Sequence, residues 1–138
     1  RINTGSFTDV NQAKETAISI IEGGADVISP MANDASVGIM EAGEEKGVMA
    51  VGCGLGQESS APTATKIIIV KDVAIAIKST FDAYAKGELN PTEVETYGAN
   101  KGVVYATEWF GDVNDEAKTR LQETIDKMAK GEVEISLQ

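Results

Sequence analysis

Residues 24 to 57, GADVISPMANDASVGIMEAGEEKGVMAVGCGLGQ, constrain the fold more than any other part of this chain. Gly24 ends a preceding helical pattern, and Ala25 to Ser29 is a short apolar run. Pro30 to Ser36 carries the small polar residues of a loop, Val37 to Lys46 has helical character, and Val48 to Cys53 is apolar again. That order is a βαβ unit. In open α/β sheets ligands sit at loops leaving the carboxyl ends of parallel strands. Two such loops follow in succession, at Met31 to Ser36 and at Gly54 to Ala61.

With 138 residues the chain is long enough for one domain whose core needs no disulfide or metal. A net charge of -10 opposes a nucleic-acid or anionic-membrane surface, which requires a basic patch. Lys71 and Asp72 interrupt the longest apolar candidate, so no uninterrupted run has membrane-spanning length. The first residue is Arg1, and the residues after it already read as a strand, from which a piece of a longer precursor is expected. The single cysteine, Cys53, has no partner for an internal disulfide. The lack of histidine removes the usual zinc sites and the Ser-His-Asp and Cys-His catalytic pairs.

Elsewhere, Ile2 to Thr4 reads as a short strand and Thr8 or Asp9 as the N-cap of a helix to about Glu22. Ala13, Ala17, Ile18, Ile20 and Ile21 form that helix's inner side. Thr65 to Val70 suits a buried central strand. Asp72 caps a helix in which Val73, Ala76, Ile77, Thr80, Phe81 and Tyr84 recur at helical spacing, and Gly87 ends it. Val94 to Tyr97 and Gly102 to Ala106 read as an antiparallel hairpin. Asn114 or Asp115 opens a last helix facing inward through Leu121, Ile125 and Met128, with a closing strand expected at Val133 to Leu137. The expected fold is a three-layer α/β lobe, a mostly parallel sheet flanked by helices.

Several residues have both an ordinary and a ligand-binding reading. Gly52 to Gln57 follows a strand, but Glu58-Ser59-Ser60-Ala61-Pro62 comes next, where a dinucleotide loop opens directly into a helix. Its glycines let the backbone approach a small ligand, or make a simple turn. Asn33 and Asp34 are helix caps or, for Asn33, ligand contacts. Lys71 is a solvated charge or a ligand contact at the carboxyl end of the central strand. Trp109 and Phe110 read as packing residues, and Cys53 as a small buried hydrophobe. Glu41, Glu44, Glu45 and Lys46 read as a solvated helix face.

These segments together resemble the basic membrane protein family of substrate-binding lipoproteins, the purine nucleoside receptor A-like proteins of ABC importers. The resemblance is carried by Gly5-Ser6-Phe7-Thr8-Asp9 before a helix, Gly24-Ala25-Asp26-Val27-Ile28, the helix ending in Glu44-Glu45-Lys46-Gly47, and Ala50-Val51-Gly52. Ile69-Val70-Lys71-Asp72-Val73 and Gly131-Glu132-Val133 extend it along the chain. It implies one lobe, residues 1–138, of a type I periplasmic-binding fold whose two lobes close on a ligand, the N-terminal lobe being absent.

The lobe's own first strand, which lies inside the sheet in such folds, would also be upstream, leaving open edges that call for pairing or segment exchange in a homodimer. The implied function is extracytoplasmic solute binding by a lipoprotein that delivers a nucleoside or purine-like ligand to ABC permease subunits, without catalysis or cofactor. Met31, Ala32, Asn33, Gly54, Gly56, Gln57 and Lys71 would face the ligand. One departure stands out: nucleoside-binding members carry Asp-x-Asp-Gln where this chain has Gly54, Leu55, Gly56 and Gln57. Losing one charged hydrogen bond, worth ~1.5–3 kcal/mol, weakens sugar binding roughly ten- to a hundredfold. The alternative is a sensory or protein-interaction domain that kept the fold and lost nucleoside binding.

Overall fold

The computed structural model describes residues 2–107 and 109–133. Its elements alternate as the sequence predicts: α1 (Val10–Glu22), β1 (Val27–Ile28), α2 (Ser36–Lys46), β2 (Met49–Gly52), β3 (Thr65–Lys71), α3 (Val73–Lys86), β4 (Val104–Ala106) and α4 (Asp115–Ala129). The sheet order is β1-β2-β3-β4. β1 runs parallel to β2, with Val27 opposite Met49, and β2 parallel to β3, with Gly52 opposite Ile68. Against β3 the chain returns in the opposite sense: Asp72 N donates to Val103 O, Thr107 N to Ile68 O and Phe110 N to Lys66 O. The fold is therefore α/β with a mostly parallel sheet, as expected.

Two compact units divide the chain: Arg1–Ile69 with Ala106–Val113, and Val70–Tyr105 with Asn114–Gln138. In the first, Asp9 caps α1 by accepting from Gln12 N at 2.9 Å, and Ala13 and Ala17 are buried. The helices α1 and α2 approach so closely that a Cβ at Gly38 would lie 2.0 Å from the carbonyl oxygen of Val10. Ile28, Met40, Ala50, Ala61 and Ala64 form the main core. The acidic end of α2 is not merely a solvated face. Lys14 pairs with Glu45 at 3.0 Å and Glu41 at 3.6 Å. Glu44 accepts from Thr63 N, Thr63 Oγ1 and Ala64 N at 3.0, 2.6 and 2.9 Å. Those bonds, that of the Thr63 hydroxyl foremost, hold the Glu44 carboxyl below its ordinary value of 4.5.

In the second unit Asp72 caps α3, accepting from Ala74 N at 3.0 Å, and Gly87 ends it in the left-handed conformation at φ 74°. Asn114 caps α4 by accepting from Ala117 N at 2.7 Å, and Leu121, Ile125 and Met128 are half-buried. Neither helix has a fully buried residue.

Other expectations need correction. Val94 to Tyr97 is not a strand; β4 instead joins β3, which no local pattern specifies. Ile2 to Thr4 is not a strand, and β1, Val27–Ile28, is shorter than Ala25 to Ser29. The apolar stripe of α3 is exposed: Ile77, Phe81 and Tyr84 are 53, 68 and 71 % accessible. Of the closing strand expected at Val133 to Leu137, residues 134–137 lie outside the described residues.

Candidate functional site

Two loops of the first unit leave the carboxyl ends of neighbouring parallel strands. After β1, Pro30 is buried and its neighbour Met31 is 74 % exposed, while Ala32 turns inward at 4 %. Asn33 takes a positive φ of 51°, a conformation asparagine tolerates better than most side chains, and opens a 3-10 turn, Asn33–Ala35, that runs directly into α2. Neither Asn33 nor Asp34 caps α2 with its side chain. The loop is fixed otherwise: Ala32 N donates to Ser36 Oγ at 3.1 Å, and Ala35 N donates to Phe7 O at 3.0 Å. The Gly5-Ser6-Phe7 segment therefore braces it, leaving Met31, Asn33 and Asp34 facing solvent.

After β2, the glycine loop folds back on itself. Gln57 Oε1 accepts from Cys53 N at 2.8 Å, and Ser59 Oγ donates to Gly56 O at 2.7 Å. Its glycines have different reasons. A Cβ at Gly52 would stand 2.9 Å from Ile68 Cγ1, so packing excludes a side chain there. Gly56 has φ 89°, which favours glycine on backbone grounds. Gly54 has neither constraint: a Cβ would meet Gln57 Nε2 at 3.5 Å, an ordinary contact. Glu58 also belongs to this region, in the 3-10 turn Gln57–Ser60. Its Oε2 is shielded from solvent without a hydrogen-bond partner among the described residues. The only sequence signal for it was a carboxylate directly after the loop.

Met31, Ala32 and Asn33 are thus in one loop and Gly54, Gly56 and Gln57 in another, both within the first unit. Lys71 belongs to the second unit, where it is the exposed last residue of β3, set by the Asp72 cap that follows. Cys53 is half-buried at the strand end, and Trp109 and Phe110 are half-buried. No group of three or more His, Cys, Asp or Glu side chains is placed to hold a metal among the described residues, and no described helix is long and apolar enough to cross a membrane.

A mostly parallel sheet with ligand-type loops at its strand ends is the architecture of periplasmic solute-binding proteins, and solved structures share it. A solute-binding protein of an ABC transporter system from Aeropyrum pernix K1 aligns with a TM-score of 0.76 at 17 % identity, over 96 % of this chain and 46 % of that one. Another, from Conexibacter woesei DSM 14684, gives 0.71 at 18 % identity, over 96 % and 44 %. A transcriptional activator of the comK gene from Bacillus halodurans gives 0.79 at 22 % identity, over 91 % and 44 %. At these identities the likeness is one of fold, and the chain spans less than half the length of each. No curated protein matches in sequence. The chain belongs to the Bmp family, described as ABC transporter substrate-binding protein PnrA-like, whose model matches residues 2–137.

Proposed function

We propose that residues 1–138 form one lobe of an extracytoplasmic, lipid-anchored solute-binding protein that delivers a nucleoside or purine-like ligand to ABC permease subunits and catalyses nothing. The observation that supports this best is the pair of braced loops at the ends of β1 and β2, with exposed side chains on one and glycines on the other. Met31, Ala32 and Asn33 would line one part of the ligand site and Gly54, Gly56 and Gln57 another. A single lobe buries too little of a ligand for tight binding, so millimolar dissociation constants are expected for this chain alone.

A second reading, a sensory or protein-interaction domain that no longer binds nucleosides, draws on Gly54 and Gly56 standing where nucleoside-binding relatives are expected to carry carboxylates. Because Gly54 has room for a side chain, Gly54→Asp distinguishes the two. Titrations with adenosine and guanosine should show weak binding to the unsubstituted chain and binding at least about tenfold tighter to Gly54→Asp, the effect of one charged hydrogen bond. No heat with either protein favours the sensory reading.

A further inference from the structure

Helix α3 carries an apolar groove of about 530 Å³ along its exposed side, lined by Ala76, Ile77, Thr80, Phe81, Tyr84 and, beyond the helix end, Leu89. The five helical positions are spaced i, i+1, i+4, i+5 and i+8, so they share one face. Val73, one turn earlier, continues the stripe and is 61 % exposed. Ala74, Ala83 and Ala85 border this face, whereas Lys78, Asp82 and Lys86 fall on the far side of the helix. Thr80, near the middle of the face, has its hydroxyl occupied, donating to Ala76 O at 3.0 Å.

Shape, charge and area together select a second copy of the same helix. An alanine-bordered face lets another helix come close. If two copies of α3 pair antiparallel about a two-fold axis at Thr80, residues equally far before and after Thr80 lie opposite one another. Tyr84 then meets Ala76, Ile77 meets Ala83 and Val73 meets Gly87, each large residue against a small one, with Phe81 next to the axis. The antiparallel arrangement also sets the positive end of each helix dipole beside the negative end of the other. The chain carries a net charge of -10, but α3 has Lys78 and Lys86 against Asp82, two positive charges and one negative, a net of +1. Two copies therefore repel each other least when they approach through α3. The exposed parts of Val73, Ile77, Phe81, Tyr84 and Leu89 come to about 500 Å² per copy, so pairing buries about 1,000 Å² in total, the lower limit of a specific interface.

We propose that α3 is a self-association surface: two copies of this chain pair through it, antiparallel and two-fold about Thr80, each Tyr84 seated in the other copy's groove above Ala76. No strand is exchanged and no sheet edge takes part. The small area makes the dimer weak, with a dissociation constant on the order of 100 μM. At a few micromolar the chain is therefore a monomer with α3 in water. The pairing concerns the second unit and is independent of the ligand reading of the first-unit loops.

The test is sedimentation velocity of the whole chain from a few micromolar to about a millimolar, which spans that constant. The weight-average mass should rise from one chain toward two. Phe81→Ser and Tyr84→Ala remove exposed side chains, so the monomer stays folded, and each should weaken association at least about tenfold. Phe7→Ser, at an exposed apolar residue of the first unit, should leave association unchanged. The register is read by cross-linking in a Cys53→Ser background. Thr80→Cys, on the two-fold axis, should form an interchain disulfide on oxidation, and Lys86→Cys, on the far side of the helix, should not. A single-chain mass at every concentration would give the face to a different partner and overturn the proposal. So would a dimer that survives Phe81→Ser, or one cross-linked through Lys86→Cys and not through Thr80→Cys.

Discussion

Helix α2 of the first unit has three glutamates and two glycines among its eleven residues, yet it buries Ser36, Gly38, Met40, Ala42 and Gly43. Helix α3 of the second unit, with valine, two isoleucines, phenylalanine and tyrosine among its fourteen, fully buries nothing. Apolar content alone therefore does not decide which helix is enclosed. Gly38 and Gly43 let neighbouring backbone come close to α2, and the few large side chains then fill what remains. The apolar stripe on α3 has no comparable cover within its own unit. Small residues determine how closely elements approach, and large ones benefit only where an element lies opposite them.

The largest expected effect lies at the tightest contact. Gly38→Ala should lower the stability of the first unit by about 3 kcal/mol or more, because its new methyl would meet the backbone of Val10 and not a movable side chain. Urea denaturation monitored in the first unit would measure this, and a change under ~1 kcal/mol would show that α1 and α2 can separate cheaply. An intermediate, pH-dependent effect is expected of Glu44→Gln. Because hydrogen bonds lower the Glu44 pKa in the folded state, its contribution is present above pH 4.5, the ordinary value, and is lost as the pH falls through the lower folded value. The variant should therefore have a lower Tm at neutral pH and a flatter acid limb, the difference closing at low pH. A constant difference across the range would contradict the assigned role. Phe81→Ser should change stability least, by under ~0.5 kcal/mol, since the ring is already in water. A large loss would mean that the α3 face is covered in solution.

The caps were readable because they are local. Asp72 and Asn114 stand directly before their helices, and Gly87 directly after α3, and each acts within a few residues. What escaped the sequence depends on distant partners. Glu44 reads as one member of an exposed acidic run because the Thr63 it holds lies 19 residues further on. The partner of β4 is β3, and the nearer Val94–Tyr97 run offered a more obvious, incorrect hairpin. Periodicity identified an apolar face on α3 but carried no information on whether anything lies against it. At the candidate site, the two loops were evident from strand, glycine and small-residue patterns. The different reasons for Gly52, Gly54 and Gly56, and the unpartnered oxygen of Glu58, required coordinates.

The most direct test of the ligand assignment is a titration of the isotopically labelled chain with adenosine, guanosine and inosine to millimolar concentration, following every backbone amide. Saturable shifts concentrated at Met31–Asn33 and Cys53–Glu58 are predicted. Shifts confined to the exposed face of α3, or none at any concentration, would contradict the assignment of these loops as a nucleoside-binding surface.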